Sequence, residues 1–581
     1  DALLSCTEGH SNTIVGSHSG DAITTGDNNV ALGFNALSAE DTGNRSVAIG
    51  DFSLAAQNND DSNYNVGVGY AAGTSITTGT LNTLIGGISG DAITTGANNT
   101  AVGHDALGAT TTGNSNTAVG EDCLQANTTA SNNTAVGRRA MFSNTTGTDN
   151  VAMGHNALDA NTTASENTAI GHDALTENTT GAENVAVGSS ALSANTTASN
   201  NVAVGRMALR DNTTGADNTA VGHQAMISNT TGANNTAVGK GALDANTEGV
   251  QNTAVGDSAL GVNTTGNTNA AFGIGALDAA TTADNNTAVG AYALSTVVSG
   301  TRNTAVGRFA LFTTTASDNV AVGYNCLDTC STGSNNTAVG TECMDANTTG
   351  EANVAMGYRT LDANTTGSNN TAVGQQALGA NTTGGANVII GKGAATNQTT
   401  ASNNVVIGES AGSNITTKTE CILIGREANT SANTASELVI GTSITGRGDN
   451  TGLIYPPGGG SLFQGTNGTT FAQTSDERIK KNIVDNNDGF NKLKDIQVRN
   501  FVYRSEEEVT DLPSNLAVKK EGIQLGVIAQ EIEKVLPEVV ITESSGVKTV
   551  NTDNLTWYLI NAVKELSTQV DELKTKLNKG E

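Results

Sequence analysis

The chain alternates short apolar phrases with runs of Asn, Thr and Gly, and the phrases return on a fixed beat. At Asn116-Thr117-Ala118-Val119-Gly120 an alternating stretch stands between Asn and Gly; Cys123-Leu124 and then Ala126-Asn127-Thr128-Thr129 follow. The glycine recurs at Gly16, Gly33, Gly50, Gly69, Gly86 and Gly103, every 17 residues to Gly307, from Gly323 by 17 to Gly425, and at Gly441. That makes 26 copies. The residue before the glycine is apolar in every copy, and the residue four before it is Asn in 23 of the 26, with Ser46, Cys421 and Glu437 as exceptions.

Alternation across Asn-Thr/Val-Ala-Val-Gly predicts a five-residue β-strand, with β-branched residues such as Thr134 and Val136 on one face and Asn, Ala and Gly on the other. The Asn-Thr-Thr-Gly that follows has turn chemistry. A 17-residue unit cannot bury its own core, so units must stack strand on strand. The predicted fold is mainly β: a parallel β-roll or β-helix solenoid of about 26 coils over residues 1–441, on the order of 120 Å long at about 4.8 Å per coil. Equivalent asparagines should lie on one another as an amide ladder. The β-branched face is expected to fill the core of the coil, and the small face to admit a neighbouring subunit, which suits a trimer.

Repetition ends after Gly441. Residues 442–474 are rich in Gly, Thr and Pro, including Tyr455-Pro456-Pro457-Gly458, and read as an irregular neck. All four prolines follow the last repeat, as a ladder that uses every backbone N–H requires. From Ser475 charges and helical periodicity take over. Residues 475–554 read as an α+β domain, and 555–581 as a helix whose Leu559, Val563, Leu566, Val570, Leu573 and Leu577 form a heptad seam, the mark of a short coiled coil joining several copies.

Composition and charge narrow the function. The net charge is −28; residues 475–581 hold 15 Lys+Arg against 19 Asp+Glu, so the remainder carries −24. Such a surface disfavours nucleic acid as a partner. No stretch of about 20 apolar residues is present to insert in a membrane. The chain starts at Asp1 with neither Met nor a signal peptide, and an upstream portion is expected to be missing.

Chemistry within the repeats is sparse. Cys123, Cys326 and Cys343 stand where Ala is usual and read as small apolar substitutes rather than a disulfide framework, although Cys326 and Cys343 fall in consecutive coils. His104, His155, His172 and His223 each follow a repeat glycine; they read as solvated turn residues, with no metal and no cofactor expected. The Asn-Thr-Thr triplets match the glycosylation sequon but are explained as turns. Arg447-Gly448-Asp449 is a chance-level tripeptide. No carboxylate pair suggests a glycosidase groove.

Two resemblances bear on function. Ser46-Val47-Ala48-Ile49-Gly50 and Asn133-Thr134-Ala135-Val136-Gly137 resemble the coils of trimeric autotransporter adhesin heads, left-handed parallel β-rolls, although those coils are usually shorter. Ser475-Asp476-Glu477-Arg478-Ile479-Lys480-Lys481, Gly526-Val527-Ile528-Ala529-Gln530-Glu531 and Leu536-Pro537-Glu538, in that order before the terminal coil, resemble the C-terminal intramolecular chaperone of endosialidases and of many phage tail fibres and spikes.

The second resemblance implies a domain that trimerises, guides folding of the β-rich stalk and then cuts itself off with a Ser-Lys dyad. Ser475 and Lys480 match the dyad, with Asp476 between them, and the cut would fall between Thr474 and Ser475. Chemically, a serine hydroxyl needs a base, and a neutral lysine can supply it; the bland alternative is an N-cap serine beside solvated lysines. The expected protein is a homotrimeric viral tail fibre, located in the virion and assembled in the host cytoplasm, that contacts other tail proteins and a host cell-surface receptor. Its enzymatic act would be at most one self-cleavage per chain. The alternatives are a fibre-borne polysaccharide depolymerase and a bacterial trimeric adhesin.

Overall fold

In the computed structural model the described residues are 3–431, 435–456, 462–464 (backbone), 480–505, 507–511, 520–542 and 546–580. Two compact units divide the chain, Asp1–Thr474 and Ser475–Glu581.

Unit one is a parallel β-solenoid. Each copy of the repeat contributes one short strand, from β1 (Thr13–Val15) to β26 (Leu438–Gly441). Each strand pairs in parallel with the next, equivalent residue on equivalent residue, as in Val202↔Thr219, Ala203↔Ala220 and Val204↔Val221. Strands β1 to β25 are three residues long rather than five, because both ends of the phrase turn. At the glycine the backbone leaves the strand with φ +143° at Gly120, and a Cβ there would lie 2.4 Å from the carbonyl oxygen of Gly137 in the next coil. No side chain fits between successive coils at that corner, which fixes glycine there.

The two faces of the strand are reversed relative to the sequence expectation. The central Ala of the strand and the Asn before it are buried, while the β-branched pair points outward: in β12 (Val202–Val204) Ala203 and Asn201 are inaccessible, and Val202 and Val204 are not. The reason is volume. The core is already filled by the third and fourth residues after each glycine, such as Ala191 and Leu192, so the facing strand has room only for Ala. Leu192 and its equivalents adopt φ near +50°, an unfavourable region for a bulky residue, and stacking of like on like must more than offset that strain.

Three polar ladders bind the coils. Asn184 donates from Nδ2 to Ala198 O (2.9 Å), and its Oδ1 accepts the backbone N–H of Asn201 (3.0 Å) one coil on. Asn195 Nδ2 donates to Asn178 Oδ1 (2.9 Å) and to the same Ala198 carbonyl (3.0 Å). Thr196 Oγ1 donates to Thr213 O (3.2 Å) on the turn. Buried asparagines thus take the place of a larger apolar core, and most have partners in both directions; the Oδ1 atoms of Asn63, Asn263 and Asn381 are exceptions.

The sheet continues into the stretch read as an irregular neck. Strand β27 (Gly452–Tyr455) pairs in parallel with β26, burying Leu453, and β28 (Leu462–Gln464) pairs antiparallel with β27. The last coil is held by buried Glu437, which accepts N–H groups from Ser431 (2.9 Å) and Gly448 (2.8 Å). Asp449 accepts from Ala435 N (2.7 Å). The Arg447-Gly448-Asp449 tripeptide is therefore part of the closing turn.

Unit two is α+β. It comprises α1 (Phe490–Leu493), the antiparallel pair β29 (Arg499–Phe501) and β30 (Gln524–Gly526), α2 (Ala529–Val535), a 3-10 turn (Pro537–Val539), the antiparallel pair β31 (Val540–Thr542) and β32 (Lys548–Val550), and α3 (Thr552–Lys579). Its core is small: Ile532, Leu536 and Val539, packed against Leu493, Ile496, Val527, Leu555 and Tyr558. Among the described residues no helix is long and apolar enough to cross a membrane.

Candidate functional site

Residues 486–490 of unit two are tied to its terminal helix. Asn551 caps α3 by accepting the Asp553 N–H (3.0 Å), and Gly580 closes it with φ +70°. Asn561 Nδ2, on α3, donates to the carbonyls of Asn486 (2.7 Å) and Asp488 (3.1 Å), and Glu565 accepts the Phe490 N–H (2.9 Å). Gly489 lies against the helix backbone; a Cβ there would stand 2.3 Å from Ala562 N. The stretch just after the proposed dyad is thus pinned to α3.

Ion pairs fix the remaining elements. Lys492 meets Glu538 at 3.1 Å, and Tyr558 donates to the same carboxylate at 3.3 Å. A backbone N–H, with Lys492 second, holds Glu538 below the usual carboxylate range. Arg499 forks onto Glu531, both contacts at 3.1 Å, and Lys548 pairs with Glu533. These contacts are exposed, so they orient the elements more than they stabilise them.

Of the proposed cleavage residues, Thr474, Ser475 and Asp476 lie outside the described residues. Lys480 is described and exposed. The seam residues Leu559, Val563, Leu566, Val570, Leu573 and Leu577 all lie on α3 and are all exposed, from 41% at Leu566 to 80% at Leu577. Sequence reasoning missed Trp557 and Ile560, which widen the exposed apolar face at the start of the seam. The signal was available, because Trp557 is the single tryptophan of the chain.

Unit one carries a second exposed apolar feature. The residue before each repeat glycine, apolar in all 26 copies, is buried in none, and Val204, Val221 and Val238 are each 37% exposed. The position after the glycine, by contrast, takes Asp51, Glu121, Arg138, Lys240 and Glu409. Aromatic clusters break the uniformity of the coils: Phe34, Phe52 and Tyr70 in successive coils, and Tyr292 stacked on Phe309 (5.6 Å) beside Phe312, next to the shortened coil between Gly307 and Gly323.

The cysteines are all free thiols, Cys326 and Cys343 included. Burial pushes the Cys123 thiol up to about 12, and the neighbouring Cys343 together with burial raises Cys326. In these coils cysteine is an alanine substitute, as its position indicates.

The fold and the site define a repeat-built β-solenoid joined to a small α+β unit ending in an amphipathic helix whose heptad seam is exposed. Residues 475–541 match the family described as chaperone of endosialidase. No curated protein and no solved structure matches the chain.

Proposed function

We propose that the chain is one strand of a homotrimeric, phage-type tail fibre, whose solenoid forms the shaft and whose residues 475–581 hold three chains together during folding and then cleave themselves off. One observation carries this reading: two separate apolar rows, along the shaft and along α3, have nothing to cover them in a single chain. Soluble monomers rarely expose continuous apolar rows of this length. Copies of the same chain match both rows rung for rung. The family match supplies the chaperone role for residues 475–541.

Release follows from the dyad. Ser475 Oγ attacks the Thr474 carbonyl while Lys480, acting as a neutral base once assembly buries it, takes the hydroxyl proton and passes it to the departing Ser475 amine. The chain is then held by an ester between the Thr474 carbonyl and Ser475 Oγ, and water hydrolyses that ester to a Thr474 carboxylate and the restored Ser475 hydroxyl. Coupling the base to burial would make the cut wait for assembly. The freed shaft then serves as a virion component that meets a host receptor, and the aromatic clusters at Phe34 to Tyr70 and at Tyr292 to Phe312 are the surfaces on it best suited to contact.

The decisive experiment measures the mass of the assembled particle by light scattering, with denaturing electrophoresis alongside. The expected result is three chains per particle and a separate 107-residue fragment (475–581), absent in Ser475→Ala and Lys480→Ala. A monomer would overturn the fibre reading, and an intact wild-type trimer would overturn self-cleavage alone.

A further inference from the structure

The histidines after the repeat glycines are not equivalent once the coils are stacked. His223 lies 3.4 Å from the Arg206 guanidinium, a setting that repels a cation, and His10 meets a single carboxylate, Asp27, at 3.5 Å. His155 and His172 occupy successive coils. Their rings stack at 5.2 Å with an interplanar angle of 13°. Asp173 joins them, 3.0 Å from His172 Nδ1, and is itself steadied by Asn156 Nδ2 at 3.1 Å. His155 Nδ1 is shielded from solvent and has no hydrogen-bond partner. One ligand atom from each of His155, His172 and Asp173 lies within 4.8 Å of the others, the one such group among the described residues.

We propose that His155, His172 and Asp173 form a divalent transition-metal site that clips two coils of the shaft together. Two imidazoles and a carboxylate are a donor set for zinc and its borderline neighbours, whereas calcium and magnesium demand oxygen throughout. Metal–nitrogen bonds of about 2.0–2.1 Å require donors roughly 3.3 Å apart. The His172–Asp173 contact, at 3.0 Å, is close to that spacing. Because an imidazole lone pair lies in its ring plane, the stacked His155 and His172 rings must tilt towards each other to share one ion. Half-exposed side chains leave the other coordination positions to water. An imidazole ligates a metal only through an unprotonated nitrogen, so binding fails in acid. A ligand from each of two coils turns the site into a rung-to-rung staple in a ladder otherwise held by amides.

The test uses the full chain, stripped with chelator and titrated with Zn2+ by calorimetry and with Co2+ by visible absorption. One equivalent per chain is expected at pH about 7.5, lost at pH about 5. His155→Ala and His172→Ala should each weaken it about 100-fold or more, beyond the roughly 10–100-fold loss typical of an outer-shell partner. His223→Ala, a surface control, should bind as the wild type does. Absence of binding in the wild type, or an equivalent that survives in the His155→Ala/His172→Ala double variant, would overturn the site. His172 is exposed and His155 half-buried, and circular dichroism checks that each variant still folds.

Discussion

The buried asparagine four before each glycine satisfies backbone groups in two coils at once, so its loss is felt on both sides. In Asn184→Ala the Asn201 amide loses its acceptor and Ala198 O loses one of its two donors. Orphaning a buried N–H costs about 1–3 kcal/mol. The expected result is a local drop in hydrogen-exchange protection at Asn201 and its flanking coils, with distant coils unchanged, since stability in a stacked array is a near-neighbour sum. Uniform loss along the shaft would contradict that picture.

Glu40 makes a different residue-scale test. It is buried at a ladder position and accepts from Gly43 N (2.7 Å), Gln57 Nε2 (2.9 Å) and Asn63 Nδ2 (3.0 Å). Burial raises its carboxyl above the usual range, with the Gln57 hydrogen bond opposing. A raised acid is charged in the unfolded chain before it is charged in the folded one. The first coils should therefore be most stable below the ordinary carboxylate value, about 4.3, and lose stability as pH rises from there through the raised value. Glu40→Gln should flatten this dependence, and Asn63, whose Oδ1 has no partner, can turn to accept from the new amide. Protection factors corrected for intrinsic exchange, compared at several pH values, check it.

At the scale of the strand, the apolar row must either face a partner or be dispensable. Val204→Asp/Val221→Asp/Val238→Asp changes three adjacent outward positions and no buried one. Circular dichroism should be preserved while the particle mass falls or assembly becomes dependent on the C-terminal unit. If the triple variant assembles as the wild type does, the row is not the contact.

The same strand marks what the sequence could say. The 17-residue beat, the parallel in-register stacking and the ladder of the asparagines four before each glycine were readable, because they depend on spacing and residue type alone. The second ladder, through Asn178, Asn195 and Asn212, was instead read as turn chemistry. Which strand face turns inward was not readable. Period two sorts residues into two faces without saying which one meets the core; Ala191, Leu192 and their equivalents decide it by filling the interior from the opposite wall. The added strand β27 was hidden by its irregular approach, although Leu453-Ile454-Tyr455 is a short apolar run with two strand-favouring residues. In the C-terminal unit the seam was legible by its heptads.

For the whole molecule the central difficulty is register. Twenty-six near-identical rungs can pair with a neighbouring chain after slipping by one coil, at little cost except at the ends and at the irregular coils after Gly50, Gly307 and Gly425. The trimerising role proposed for the unit outside the repeats would remove that freedom before the shaft closes. Leu566→Asp/Val570→Asp/Leu573→Asp places charge on three seam positions that touch nothing in the core of the unit, so the unit itself should fold. Chains carrying it should give soluble solenoid of mixed mass, or aggregate, and leave residues 475–581 attached, because the proposed base is desolvated only on assembly. Ser475→Ala should separate the two roles: it should assemble as a uniform trimer and remain uncleaved. Seam-variant chains that both trimerise uniformly and release the fragment would show that the shaft sets its own register, and the C-terminal unit would then need another purpose.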